Sequence, residues 1–215
     1  WTGVDVKLFN KSSDNIEVLS QSYRIPKAIH RVANKISKRI SGRHEKIFTS
    51  RDEEGSVEYV NYLSEVPLSS GSFTLMARTN GYVSEMANYL RSNGFKFSRN
   101  GKSSLSDDMV GNILTWDTLC QDKSVGVQQL KALYSGVKKQ GKDAVVRRGS
   151  TQLLDALAPD DMLDMDTLIK DYGLQRDAST SAYDALNVAS SERDYIDAIF
   201  RRGEDLLSSP RIKVS

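Results

Sequence analysis

A single cysteine, Cys120, excludes an internal disulfide and fits a reducing compartment. Two histidines, His30 and His44, beside that one thiol leave too few soft ligands for a zinc site. No Gly-x-Ser-x-Gly elbow occurs, and no Cys–His pair is arranged for nucleophilic catalysis. No stretch approaches the roughly 18 apolar residues that a membrane span needs. Trp1 is followed by polar and charged residues, not by a secretory leader. We therefore expect a cytoplasmic setting (bacterial, phage or otherwise intracellular) and no membrane partner. Trp1 stands where an initiator Met would, so an excised or renumbered segment is expected. Charge nearly cancels: 30 Lys and Arg face 28 Asp and Glu, a net of +2. Any affinity for a polyanion must then come from local placement of charge.

What is present can support a core. Hydrophobic residues make up 39% and charged residues 27%, the balance of a soluble chain of one or two domains. Val4–Lys11 reads as a short helix or turn, and Ile16–Leu19 as a short buried strand. Pro26 suits the first turn of a helix. Ile29, Val32, Ala33, Ile36 and Ile40 then share one face, with Gly42 as the stop. Residues 56–62 alternate as a strand does. Residues 73–77 read as a central buried strand that ends at Arg78-Thr79-Asn80. A second amphipathic helix follows, with Val83, Met86, Ala87 and Leu90 on one face and Gly94 as its stop. A short strand at 95–97 precedes a polar turn over 98–104.

After Ser106 the strand signals disappear until the last six residues. Helical patterns cover 107–120, 125–137, 150–157, 160–171, 178–189 and 191–207, the last with Tyr195, Ile196, Ile199 and Phe200 on its apolar face. Arg211–Val214 returns to strand character. The pattern predicts an α/β domain over 1–106 and 208–215, interrupted by an all-α subdomain over 107–207.

Three groups could carry chemistry. A strand ending in Tyr23-Arg24 would set both at a parallel sheet's edge, where α/β domains bind ligands. A guanidinium there can grip a phosphate in bidentate fashion, and the ring offers a flat face to a base. Arg78-Thr79-Asn80, at a strand end and a helix start, suits phosphate contacts, although Thr79 or Asn80 could equally cap the helix. Lys138-Lys139-Gln140-Gly141-Lys142 with Arg147-Arg148-Gly149 is the most basic stretch; such a run is also what a solvated face looks like. Asp160, Asp161, Asp164 and Asp166 lack the spacing and glycine of a calcium loop and read as a solvated helix start.

Gln21-Ser22-Tyr23-Arg24, then Arg78-Thr79-Asn80, in order and each before a helix, resemble the second motor domain of a UvrD/Rep-type superfamily 1 DNA helicase. The resemblance covers residues 1–105 by motif and 107–207 by architecture alone. It implies a partial RecA-like fold (a P-loop NTPase-type parallel sheet) with a helical insertion. It implies that Gln21, Tyr23 and Arg24 meet ATP, with Arg24 sensing the γ-phosphate across a cleft. It implies that Trp1, Arg78, Thr79 and Asn80 line a single-stranded DNA track, with Trp1 stacking on bases. Relatives also use a glycine-containing turn of the insertion to touch duplex ahead of the fork, which would engage Lys138 and Lys139. Ser22 stands where the family has Asn, Ile25 where it has Ser, and Thr2 and Val4 also depart from its pattern. The Gly-x-x-x-x-Gly-Lys loop and an acidic pair for Mg²⁺ are missing from the sequence. ATP and Mg²⁺ would therefore need an N-terminal RecA-like motor domain of the same protein, and this segment alone would not hydrolyse ATP. Two other readings stay open: a non-catalytic nucleic-acid-binding module or degenerate helicase half, and an α/β interaction domain without a ligand.

Overall fold

A computed structural model of the chain describes residues 19–41 and 47–215. Trp1, the expected helix or turn at Val4–Lys11 and the expected stop at Gly42 lie outside them. So does the expected strand at Ile16–Leu19 except for Leu19, which is exposed and in no strand. The chain divides into two compact units, Trp1–Val66 and Pro67–Ser215.

In the first unit, helix α1 (Lys27–Ser37) starts directly after Pro26, whose fixed φ suits that position. The helical spacing of its apolar residues is real, but Ile29 and Ile36 are exposed and only Ala28 is buried. The first two amides of α1 are satisfied locally. Lys27 N donates to Glu53 O at 2.9 Å and Ala28 N to Glu54 O at 2.8 Å. Residues 56–62 form no strand: Tyr59 and Tyr62 are exposed, and no ladder partner occurs among the described residues. Alternation alone does not supply a neighbour to pair with. A single 3₁₀ turn, Leu63–Glu65, closes the unit.

The second unit runs β1 (Phe73–Leu75), α2 (Asn80–Ser92), β2 (Phe97–Arg99) and β3 (Lys102–Ser103). Then come α3 (Asp107–Cys120), β4 (Val125–Gly126), α4 (Val127–Gly136), α5 (Ser150–Leu153), β5 (Met162–Leu163) and α6 (Met165–Asp171). The chain ends in α7 (Ala182–Ala185), α8 (Ser190–Arg201) and β6 (Ile212–Val214). The main sheet has the order β1-β6-β2-β3, parallel at β1–β6 and β6–β2 and antiparallel at β2–β3. The protein is thus mixed α/β with a mostly parallel sheet. Lys213 sits opposite Thr74 on one side and Ser98 on the other, with Ile212 and Val214 buried around it. The last strand is therefore an inner one, and β1, expected to be central, is at the edge. The β2–β3 hairpin turns on Asn100 and Gly101, both at positive φ (51° and 77°), as a two-residue hairpin with right-handed twist requires.

Residues 107–206 supply most of the core. Trp116, Tyr134, Leu130, Leu154, Leu168 and Ile196 are sealed from solvent. Fully burying a side chain of this size contributes about 1.5–3 kcal/mol, and Trp116 also donates Nε1–H to Thr180 O at 2.9 Å. The helical expectation for this segment needs two corrections. A short antiparallel ladder, β4–β5, pairs Val125 with Leu163. The helices expected at 160–171 and 178–189 shrink to α6 and α7, because Asp164 and Ser181 cap them from inside those ranges. Phe200, assigned to the apolar face of α8, is about half exposed.

Candidate nucleotide and nucleic-acid contact sites

In the first unit the Tyr23-Arg24 segment is held as a turn. Ser22 is buried, and its Oγ accepts from Arg24 N at 3.3 Å and Ile25 N at 3.1 Å. A hydroxyl accepting two amides further on in this way is a serine turn. Gln21 pairs with Thr49 in one isolated parallel bridge. Its side chain is taken up locally: Oε1 accepts from Thr49 Oγ1 at 2.7 Å, and Nε2 donates to Ser22 O and Ser50 O. The expected sheet edge is thus a single bridge among the described residues. The turn leaves Tyr23 85% exposed and Arg24 exposed. The Arg24 side chain has no hydrogen-bond or ion-pair partner among the described residues. An unpaired guanidinium and an open ring on consecutive residues could together take a phosphate and a planar base.

Arg51, which sequence reading did not single out, supports this turn. Its amide donates to Ile25 O at 3.1 Å and its guanidinium pairs with Glu53. Arg31 pairs with Glu54 and holds that carboxyl below its usual range. These ion pairs are exposed and contribute little to stability, but they fix where positive charge lies.

In the second unit, Arg78-Thr79-Asn80 follows β1 at the sheet's C-terminal edge. Ala77 N donates to Ser215 O and Ser215 N to Leu75 O, both at 3.0 Å, so the β1–β6 ladder runs up to this segment. Thr79 has N-cap geometry, yet its side chain makes no capping bond. Asn80 O accepts from Ser84 Oγ at 2.9 Å while its own side chain is unpartnered among the described residues. All three side chains are exposed, and Arg78 forms no ion pair among the described residues. No side chain caps the helix here, and the three polar side chains at this strand end are without partners among the described residues.

Lys138 and Lys139 follow α4. Lys138 pairs with Asp143 at 3.4 Å and lines a polar cavity of about 340 Å³ in which Arg193 pairs with Asp184 at 2.9 Å. Its charge is largely answered within the fold. Lys139 is half-buried and unpaired among the described residues.

No family model, curated protein or solved structure matches this chain.

Among the described residues no group of three His, Cys, Asp or Glu side chains is placed to hold a metal. Two residues of the acidic run are taken up in local bonds. Asp164 Oδ1 accepts from Thr167 N at 2.9 Å, and Asp161 Oδ2 from Ala158 N at 2.9 Å. Among the described residues no helix is long and apolar enough to cross a membrane.

Proposed function

We propose that this chain is part of an ATP-dependent DNA helicase or translocase and contributes one wall of its nucleotide cleft. The observation that carries the reading is the Ser22 turn, which presents Tyr23 and Arg24 exposed and, among the described residues, unpaired ahead of α1. Ser22 replaces the family's Asn, but either side chain can accept the same backbone amides, so the substitution keeps the turn. In this reading Arg24 grips the terminal phosphate of ATP and stabilises the charge that develops there, and Tyr23 packs on the adenine. The P-loop and the Mg²⁺ ligands come from a partner motor domain. Residues 1–106 and 208–215 form a RecA-like domain, and 107–207 its insertion. Arg78, Thr79 and Asn80 contact single-stranded DNA at the strand end, where sequence-independent phosphate contacts suit a translocating motor.

The test is Arg24→Ala in the complete protein. ATP turnover should fall at least ~10²-fold, while affinity for single-stranded DNA stays within about twofold. Near-normal turnover would remove the assignment. Loss of DNA affinity with no ATPase activity in the parent would favour a non-catalytic nucleic-acid-binding module.

A further inference from the structure

A bowl of about 260 Å³ opens between the 147–150 segment and the end of α6, lined by Arg147, Arg148, Ser150, Lys170, Asp171 and Gly173. Its walls are distant in sequence but locked together. Val146 bridges Leu174, Arg147 N donates to Gly173 O at 2.8 Å, and Gln175 N to Val145 O at 2.8 Å. Three cations face one carboxylate, Asp171. None of the four side chains has a hydrogen-bond or ion-pair partner among the described residues. That differs from the cavity at Lys138, where Lys138 and Arg193 each pair with a carboxylate and Arg176 donates to Lys142 O.

Ser150 lines the same bowl. The residue is only 3% exposed, and its hydroxyl has no hydrogen-bond partner among the described residues. Gly173 makes the space for it. At φ +71° this residue has no side chain, and a Cβ there would lie 2.2 Å from Ser150 Oγ and 3.3 Å from Arg147 Cβ. The glycine thus leaves room for the Ser150 hydroxyl in the wall of the bowl.

We infer that this bowl binds a phosphate group, with Arg147, Arg148 and Lys170 as its charge partners and Ser150 as the hydroxyl donor. Tetrahedral oxyanions take charge-assisted hydrogen bonds from guanidinium forks and a hydroxyl together, and an unpaired cation cluster favours them over chloride. Asp171 disfavours a fully ionised dianion pressed against it and suits a phosphate held mainly from the arginine side. The site does not rest on the helicase reading: a free phosphoester and a nucleic-acid backbone present the same group.

The experiment is amide NMR of the whole chain, titrated with sodium phosphate against sodium chloride at matched ionic strength. A second titration uses a single-stranded oligonucleotide without terminal phosphates. Phosphate should shift the Gly149, Ser150 and Gly173 amides saturably, and chloride should not. Arg147→Gln with Arg148→Gln, both at exposed positions, should weaken the phosphate response about tenfold or more. Lys170→Gln and Ser150→Ala should each weaken it with the remaining spectrum unchanged. If the oligonucleotide moves the same amides at lower concentration, the phosphate is that of a nucleic-acid backbone; if only phosphate does, the ligand is a free phosphoester. Equal shifts with chloride, or a phosphate response that survives both the double arginine change and Lys170→Gln, would overturn the site.

Discussion

At the scale of single residues, two buried polar groups tie the helical segment to the strand side of the second unit. Tyr195, 2% exposed, donates its hydroxyl to Phe95 O at 2.8 Å and shares a 2.6 Å hydrogen bond with Ser104 Oγ. The Arg91 guanidinium lies 4.4 Å from its ring centroid and pairs with Glu192. Tyr195→Phe would keep the packing and leave a buried carbonyl and hydroxyl short of a partner. The cost should be about 1–3 kcal/mol, read as a lower urea midpoint at unchanged slope. Lys96 is 5% exposed and donates Nζ to the carbonyls of Asp205, Leu206 and Ser208. Burial lowers its pKa below the ordinary 10.5. Between the lowered value and 10.5 the unfolded chain holds more protons than the native one, so this group's contribution to stability rises with pH across that window. Comparing the native chain with Lys96→Met from pH 8 to 10.5 should show the gap moving in the native chain's favour. A gap that moves the other way would contradict the burial of this ammonium.

At the scale of elements, a glycine decides how closely two helices approach. Gly94 ends α2 at φ +68°, and a Cβ there would lie 2.4 Å from Ala198 O in α8. Gly94→Ala therefore adds left-handed strain of about 1–2 kcal/mol to a clash with backbone that cannot swing aside. A loss of about 2 kcal/mol or more is expected in thermal or urea unfolding; an unchanged midpoint would mean that the helices separate freely. Elements like α2 and α3 were legible because Val83, Ala87 and Leu90, or Val110, Ile113 and Trp116, repeat at helical spacing and face one core. The 56–62 segment was misread because alternation reports a pleated chain and says nothing about whether a neighbour pairs with it. The 160–171 and 178–189 helices were drawn too long because Asp164, grouped with Asp160, Asp161 and Asp166 as one helix start, is the cap itself, and Ser181 caps the second from inside its range. Of the candidate sites, Arg78-Thr79-Asn80 could be placed because a strand and a helix meet there in sequence. The Arg147–Lys170 bowl could not, since the Val146–Leu174 bridge that forms it joins residues far apart in the chain.

At the scale of the whole second unit, the sheet depends on a strand that arrives last. β6 lies between β1 and β2, and its partners come from residues 73–75 and 97–99, more than a hundred positions earlier. Helices α3 to α8 are formed by the segment between, with their own buried cluster around Trp116, Leu130 and Leu168. The order places the costliest loop closure at the final strand, so the sheet's two parallel ladders must form or fail together. Lys213 isolates this effect, because its side chain is exposed while its backbone faces Thr74 and Ser98. Lys213→Thr should change stability by less than about 0.5 kcal/mol, as an exposed strand position permits. Lys213→Pro removes a ladder donor from an inner strand, where proline is scarcely found, and should cost about 2 kcal/mol or more. Hydrogen exchange adds the deciding readout. In the proline variant the amides of β1 and β2 should lose protection in step while those of α3 and α4 keep theirs. Loss confined to β1, with β2 still protected, would show that the β2–β3 hairpin holds the sheet without the returning strand.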